Sequence, residues 1–423
     1  MTCNSLIVNL KTKQSTLLPT SHVSIQCKQS LTVFRGQSFF SSACLLTNNN
    51  QSFLFCLKDH YTRLMDCFKE LFESAHLPFS LAEFEGYINK IIINNDIKKQ
   101  APLSCKMLCV AGQKCHDHTH QLTYSSGFGG HLDQLIFIVQ PFTKKPSWVF
   151  KKGLNLCSLE YQRPFANVKL TNYLGGVIGQ HQIDAINAWA CMLHLNSKHK
   201  SFFMCLKTAI NNYQELTLEQ QKIVRIIINS MIFSNEETKE IADYKQLIVK
   251  IPQAIQTLFL AFTEENKKLI NKHMKLNEQD LLHETLFTST NNQSVQYLEG
   301  STFSLLAINK KDEFVVVPLT DPHKNKINLD LPVILESISI NYLIKHIKLN
   351  QLPYKIQQIN YDTLDSFKAI FCVSSTRTFT NKGQFDLQPC RSIDGKIISQ
   401  SPSVSVDILK KSIQNYISTT VNN

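Results

Sequence analysis

The stretch Arg163-Pro-Phe-Ala-Asn-Val-Lys169-Leu-Thr-Asn172-Tyr173-Leu-Gly-Gly-Val-Ile-Gly-Gln-His-Gln182 decides how this chain reads. Phe165 to Val168 is a short β-prone run, and Lys169 closes it. Leu174, Val177, Ile178, Ile183, Ile186 and Ala190 then recur at helical spacing, so an amphipathic helix follows. A lysine at a strand end, facing a helix that opens with Gly175 and Gly176, projects into a cleft. Desolvation there lowers the pKa of the amine and makes it a usable nucleophile of the Schiff-base kind. A lysine taken alone reads as solvated surface. Only the other motifs of the chain give Lys169 its chemistry.

The 423 residues are 43% hydrophobic and 18% charged, which suits a globular protein of two or three domains. The net charge of +11 comes from lysines spread along the chain, with no Arg-rich stripe and no aromatic-glycine motif. That gives a modest attraction to anions and argues against a nucleic-acid module. Thirteen scattered cysteines without CxxC pairs fit the reduced thiols of a cytosol better than a disulfide framework. The apolar piece Leu6 to Leu10 is too short for a signal peptide, and no run approaches a membrane span, so the expected location is cytoplasmic. Export by a route that reads no N-terminal signal stays open.

Short strands and turns are expected up to about residue 35, then a hairpin of Gly36 to Leu46 with Phe53 to Leu57. A helix runs from Lys58 to Phe72 with Asp59 at its start, and a second from Phe79 to Asn95. Strands follow at Cys105 to Ala111 and Gln134 to Gln140. The loop between them carries Cys115, His116, His118 and His120. Zinc ligands at alternate positions of one short loop do not close a tetrahedral site unaided, so it reads as polar surface. Gly127 to Gly130 lacks the strand-to-helix setting of a phosphate loop. Lys151 to Gln162 reads as a connector, and Trp189 to Leu195 as a strand. Candidate helices are Phe202–Tyr213, Leu218–Phe233, Asn235–Lys250, Ile251–Phe262 and Glu264–Lys275, with capping boxes at Thr217/Gln220 and Ser234/Glu237. They suggest a separable all-helical module over 197–293, with no chemistry of its own. Strands return at Val295 to Ile308, Glu313 to Pro318, Lys355 to Ile359 and Ala369 to Ser374. Helices are expected at Pro332–Lys348 and Val404–Tyr416.

Several of these pieces, in this order, resemble the class IV aminotransferases, the fold-type IV pyridoxal-phosphate enzymes. That family includes branched-chain aminotransferases, D-amino-acid aminotransferases and aminodeoxychorismate lyases. Lys169-Leu-Thr-Asn172-Tyr173-Leu174 resembles its "K-x-x-N-Y-L", and His60-Tyr-Thr-Arg63-Leu64 its "H-x-x-R-L". Leu298-Glu299-Gly300 to Leu306 resembles "(S/T)-E-G-x-x-x-N-(L/V)-F". Val373 to Thr376 resembles a phosphate-binding turn, and Arg391 to Gly395 the closing "V-x-x-I-D-G". Three departures stand out. Val333 and Leu335 replace the glycine and threonine of the family's "P-G-I-T-R", and Glu336 adds negative charge there. Ser41 stands for a glutamate, and Ser304 for an asparagine.

The resemblance implies an α/β (α+β) fold in two domains. Residues 1–155 would form the smaller one, and 156–196 with 294–423 a larger domain with a β-barrel-like core. Residues 197–293 would be the helical insertion. It implies pyridoxal 5'-phosphate as cofactor, with Lys169 as the catalytic Schiff-base lysine. Arg63 and Thr376 would hold the phosphate, Glu299 would face the pyridine nitrogen, and Tyr173 would bond near Lys169. Lys106 would receive the substrate. The implied activity is transamination of a small-molecule amino acid by a homodimer. Two alternatives stay open: a 4-amino-4-deoxychorismate lyase, and a non-catalytic descendant whose helical insertion binds a protein partner.

Overall fold

The computed structural model describes residues 3–23, 38–48, 51–72, 76–96, 102–111, 132–163, 166–171, 174–197, 200–228, 247–260, 264–291, 294–319 and 334–419. Tyr173, Gly36, Val333, the Cys115–His120 loop and Gly127–Gly130 lie outside them, as does nearly all of the helix expected at Asn235–Lys250.

Two sheets organise the chain. The first is antiparallel throughout and comes from β1 (Asn4–Asn9), β2 (Ser15–Pro19), β3 (Phe39–Asn48), β4 (Gln51–Leu54), β5 (Leu103–Ala111) and β6 (Leu132–Pro141), in the order β2-β1-β6-β5-β3-β4. Helices α1 (Leu57–Phe72) and α2 (Leu81–Asn94) cover one face of it. Alternation decides which side chains meet them: Phe39 and Ala43 of β3, Cys105 and Met107 of β5, and Leu135 and Phe137 of β6 join Leu64, Phe68, Phe84 and Ile88 in one core. Ser80 and Glu83 close a capping box that starts α2.

The short helix α3 (Trp148–Lys151) leads to β7 (Leu154–Glu160), then α4 (Leu174–Asn196). Helices α5 (Phe202–Gln214), α6 (Leu218–Ile228), α7 (Gln253–Leu260) and α8 (Glu264–Leu276) follow, and then β8 (Leu282–Asn291), β9 (Ser294–Gly300), β10 (Ser304–Asn309) and β11 (Phe314–Val316). The chain ends through α9 (Ile338–Leu349), β12 (Tyr354–Ile356), β13 (Ile359–Asn360), β14 (Phe367–Val373), β15 (Gln388–Ile393), β16 (Lys396–Ile397) and α10 (Val404–Thr419). The second sheet runs β12-β11-β10-β14-β15-β7-β8-β9-β13, with β16 beside β15, and curves into a half-barrel. The α/β fold read from the sequence is present.

Four expectations need correction. Trp189 to Leu195 is the end of α4, not a strand. Residues 282–291 belong to the sheet as β8, so the helical stretch joins α4 to β8 and does not extend to residue 293. The expected connector at Lys151–Gln162 contains β7, which pairs in parallel with both β8 and β15. Residues 166–168 form a turn, not a strand ending at Lys169. The helical stretch packs against α4. Its Phe202, Ile210, Val224 and Phe259 share one core with Ile183, Ile186 and Trp189 of α4.

Glycines set how closely α4 approaches the sheet. A Cβ on Gly179 would lie 2.4 Å from Thr285 Oγ1 on β8, and one on Gly175 would lie 2.3 Å from the Tyr161 ring. Among the described residues every cysteine is a free thiol, and no helix is long and apolar enough to cross a membrane.

Candidate active site

A cavity of about 450 Å³ lies between the two sheets. Lys169, Arg63, Glu299, Thr376 and Lys106 all line it. These residues are far apart in sequence, and the fold brings all five to one wall or another of the same space.

Lys169 is placed by backbone pairing. Leu170 bridges Phe39, the Phe40 amide donates to the Lys169 carbonyl at 2.9 Å, and the Thr171 amide donates to the Ser38 carbonyl at 2.9 Å. The chain thus returns to β3 just before α4 begins. The Lys169 ammonium sits 4.9 Å from the centre of the Phe40 ring. Burial, then the neighbouring charges of Arg63 and Arg163, push its pKa down to about 7 against the pull of Glu299. A large share of the amine is therefore neutral near pH 7.

Helix α1 presents His60, Arg63 and Cys67 on one face, one or two turns apart. The Cys67 sulfur accepts from the Lys169 amide at 3.5 Å. His60 Nδ1 meets Ser41 Oγ at 2.7 Å, which gives the serine found in place of the expected glutamate a definite partner. Burial, Arg63 and Lys169 hold the pKa of His60 down to about 3, so its ring is neutral. Its Nε2 is buried without a partner among the described residues. Arg63 donates to the backbone carbonyl of Glu336, just ahead of α9.

Glu299 ends β9. Gly300 after it is required: a Cβ there would lie 2.1 Å from the Phe303 ring, and its amide donates to the Phe303 carbonyl at 2.8 Å. Glu299 Oε1 accepts from Arg163 Nε at 3.0 Å and from the Leu335 amide at 3.4 Å. The side chains of this ion pair are only 10% and 6% exposed. Oε2 has no hydrogen bond among the described residues.

Hydroxyls crowd the opposite wall. Ser339 Oγ in α9 lies 3.1 Å from Ser375 Oγ, Ser337 caps the helix, and Ser374 Oγ is buried with no partner among the described residues. Lys106, on β5, pairs across the first sheet with Ser42 and Ile138 and is exposed at the cavity.

Sequence reasoning missed the partner of Glu299. Arg163 stands in the quoted stretch, but nothing in local periodicity ties it to a carboxylate on β9. It also gave His60 no partner and overlooked the Ser339–Ser375 pair.

Superposition on solved structures settles the architecture. A branched-chain aminotransferase from Thermoproteus uzoniensis, solved with norvaline, matches over 98% of this chain and 94% of its own, with 12% identity and a TM-score of 0.54. The fold is that of the branched-chain aminotransferases. The Escherichia coli enzyme of that name matches over 99% of this chain and 94% of its own, at 10% identity and TM-score 0.52. A hypothetical aminotransferase from Mycobacterium tuberculosis, in a PLP-bound form, matches over 97% and 99%, at 10% identity and TM-score 0.53. No protein-family model matches the sequence, and no relative was found among curated proteins. The likeness is one of fold.

Proposed function

We propose that the chain is a pyridoxal-phosphate-dependent, class IV-like aminotransferase acting on an amino acid and its 2-oxo acid. The observation that carries this reading is the shared cavity: a desolvated lysine, a carboxylate with one open oxygen, an arginine and a row of hydroxyls face one space. The donor set fits the cofactor. Arg63, Arg163, Lys169 and Lys106 against Glu299 and Glu336 favour an anionic ligand. The Ser374 hydroxyl near Thr376, without a partner among the described residues, suits a phosphate oxygen. The space is of a size that holds a substituted aromatic ring.

Pyridoxal phosphate, when bound, supplies a carbonyl for amine exchange and a ring that draws electrons from the substrate α-carbon. The residues supply the rest. Lys169, neutral in large part, serves as nucleophile and moves the α-proton as base and then acid. Glu299 holds a proton at the ring nitrogen through its open oxygen. Arg63, Ser374 and Thr376 anchor the phosphate. Lys106 receives a substrate carboxylate as a point charge. Tyr173 is assigned by resemblance alone to the neighbourhood of Lys169.

One observation favours a second reading. Lys106 lines the cavity as a single ammonium rather than a forked guanidinium, and a lysine at this place is what the lyase branch of the resembled family shows. Incubating the pyridoxal-phosphate form with a panel of amino acids, and separately with aminodeoxychorismate, separates the two. Conversion to the pyridoxamine form supports transamination. Pyruvate release without an oxo-acid acceptor supports the lyase. Silence with every compound supports a non-catalytic protein.

A further inference from the structure

Behind the hydroxyl wall, the 374–381 turn is held by groups from the first part of the chain. The Lys145 ammonium, between β6 and β7, donates to the backbone carbonyls of Thr376 at 2.6 Å, Arg377 at 3.2 Å and Phe379 at 2.9 Å. Its own amide donates to Asn381 Oδ1 at 2.9 Å, and its carbonyl accepts from Asn381 Nδ2 at 2.8 Å. The ammonium also lies 4.6 Å from the centre of the Phe142 ring. On β3, the Cys44 thiol donates to the Ser375 carbonyl at 2.8 Å. The Ser374 carbonyl accepts from the amides of Arg377 and Thr378, at 3.0 and 3.2 Å. Every carbonyl from Ser374 to Arg377 is thus engaged.

In a trans peptide the C=O and N–H bonds point opposite ways. The Ser375 amide therefore points away from the Ser374 carbonyl, which the turn's own amides engage, and the Thr376 amide away from the Ser375 carbonyl, which Cys44 engages, while Lys145 holds the Thr376, Arg377 and Phe379 carbonyls that complete the turn. Neither amide has a hydrogen-bond partner among the described residues, and both residues line the cavity. Successive amides turned to one side, with the Ser374 hydroxyl beside them, form an anion-binding concavity.

We propose that Lys145 is a positioning residue: from outside the cavity, its ammonium fixes the 374–379 turn so that the Ser375 and Thr376 amides face a phosphate group. Its donors number three and meet three carbonyls, and Lys145 does not itself line the cavity. Burial pushes its pKa down only to about 8, so it stays charged at pH 7. The proposal rests on the reading that this wall takes the phosphate of the cofactor.

The test uses the full chain with Lys145→Met, Lys145→Arg and Cys44→Ala. Amide hydrogen exchange is followed over 374–381, and binding is measured by equilibrium dialysis with inorganic phosphate and with pyridoxal phosphate. In Lys145→Met, exchange across the turn should quicken and affinity for both probes should fall about tenfold, the worth of one well-oriented hydrogen bond. Lys145→Arg, which keeps donors, should recover part of the loss. Cys44→Ala should move both readouts the same way by less, and it decides the matter if Lys145→Met does not fold. Unchanged affinity overturns the proposal, even with faster exchange, because Lys145 would then be structural only. If phosphate binds and is lost in Lys145→Met while pyridoxal phosphate never binds, Lys145 stands and the cofactor reading falls. If the unaltered protein takes neither probe, both fall.

Discussion

Replacing Arg163 by methionine strips the only ion-pair partner that Glu299 has among the described residues. Both side chains are nearly out of water, at 10% and 6% exposure. Breaking a buried pair by removing one member costs about 3–5 kcal/mol, because the survivor keeps its charge in a poorly solvated place. Here the Leu335 amide remains on Glu299, and Lys169 and Arg63 still attract it. The cost should therefore sit at the lower end, about 3 kcal/mol. Glu299→Leu alone should also be costly, since it takes the carboxylate away from a guanidinium that is nearly out of water. The double replacement should cost much less than the sum, because an apolar pair of similar volume removes both desolvation penalties. The assay is urea unfolding followed by the fluorescence of Trp148 and Trp189, comparing midpoints where the slope is unchanged. A cost under about 1 kcal/mol for Arg163→Met, the range of exposed pairs, would refute the picture of a buried pair.

Other tests follow from the same structure. The acylation rate of Lys169 by an amine-selective reagent should level off above about pH 7, whereas exposed lysines keep gaining reactivity to about pH 10. The sign follows from the lowered pKa: the neutral, reactive amine is lost as pH falls through that value. Removing Arg63 should move the plateau upward, and a wild-type midpoint near that of ordinary lysines would contradict the desolvated site. Gly179→Ala should destabilise the protein by about 1–3 kcal/mol through its clash with Thr285, despite a better helix propensity. Gly86→Ala in α2, where a Cβ meets nothing within 4 Å, should instead stabilise by up to about 1 kcal/mol. Equal effects at the two sites would show that α4 does not pack on β8 as closely as described.

The sequence was most legible where one face of an element is wet. Helices α1 and α2 and strands β5 and β6 have an alternating or helical pattern, and their expected positions hold within about two residues, whereas α9 begins at Ile338, well after its expected start at Pro332. It was least legible where an element is buried on all sides, since periodicity then vanishes. Trp189-Ala-Cys-Met lies at the end of α4 between the sheet and the helices α5–α8, so its unbroken apolar run resembled a strand. Leu154 to Cys157 of β7 is buried on both faces and carries no alternation. β8 was hidden in a long helical stretch because its edges lack glycine or proline. Motif order singles out Lys169, Arg63, Glu299 and Thr376 where pattern fails, and all four line the same cavity. Arg163 and Lys145 were not singled out, because their work is done by partners more than a hundred residues away in sequence.

The central claim is that Lys169 is the residue that takes the cofactor. The most direct measurement is reduction with borohydride after adding pyridoxal phosphate, followed by peptide mapping. The account predicts a new visible absorbance band on addition, its loss on reduction, and a single covalent adduct on Lys169. An adduct on another lysine, or none at saturating cofactor, would contradict it.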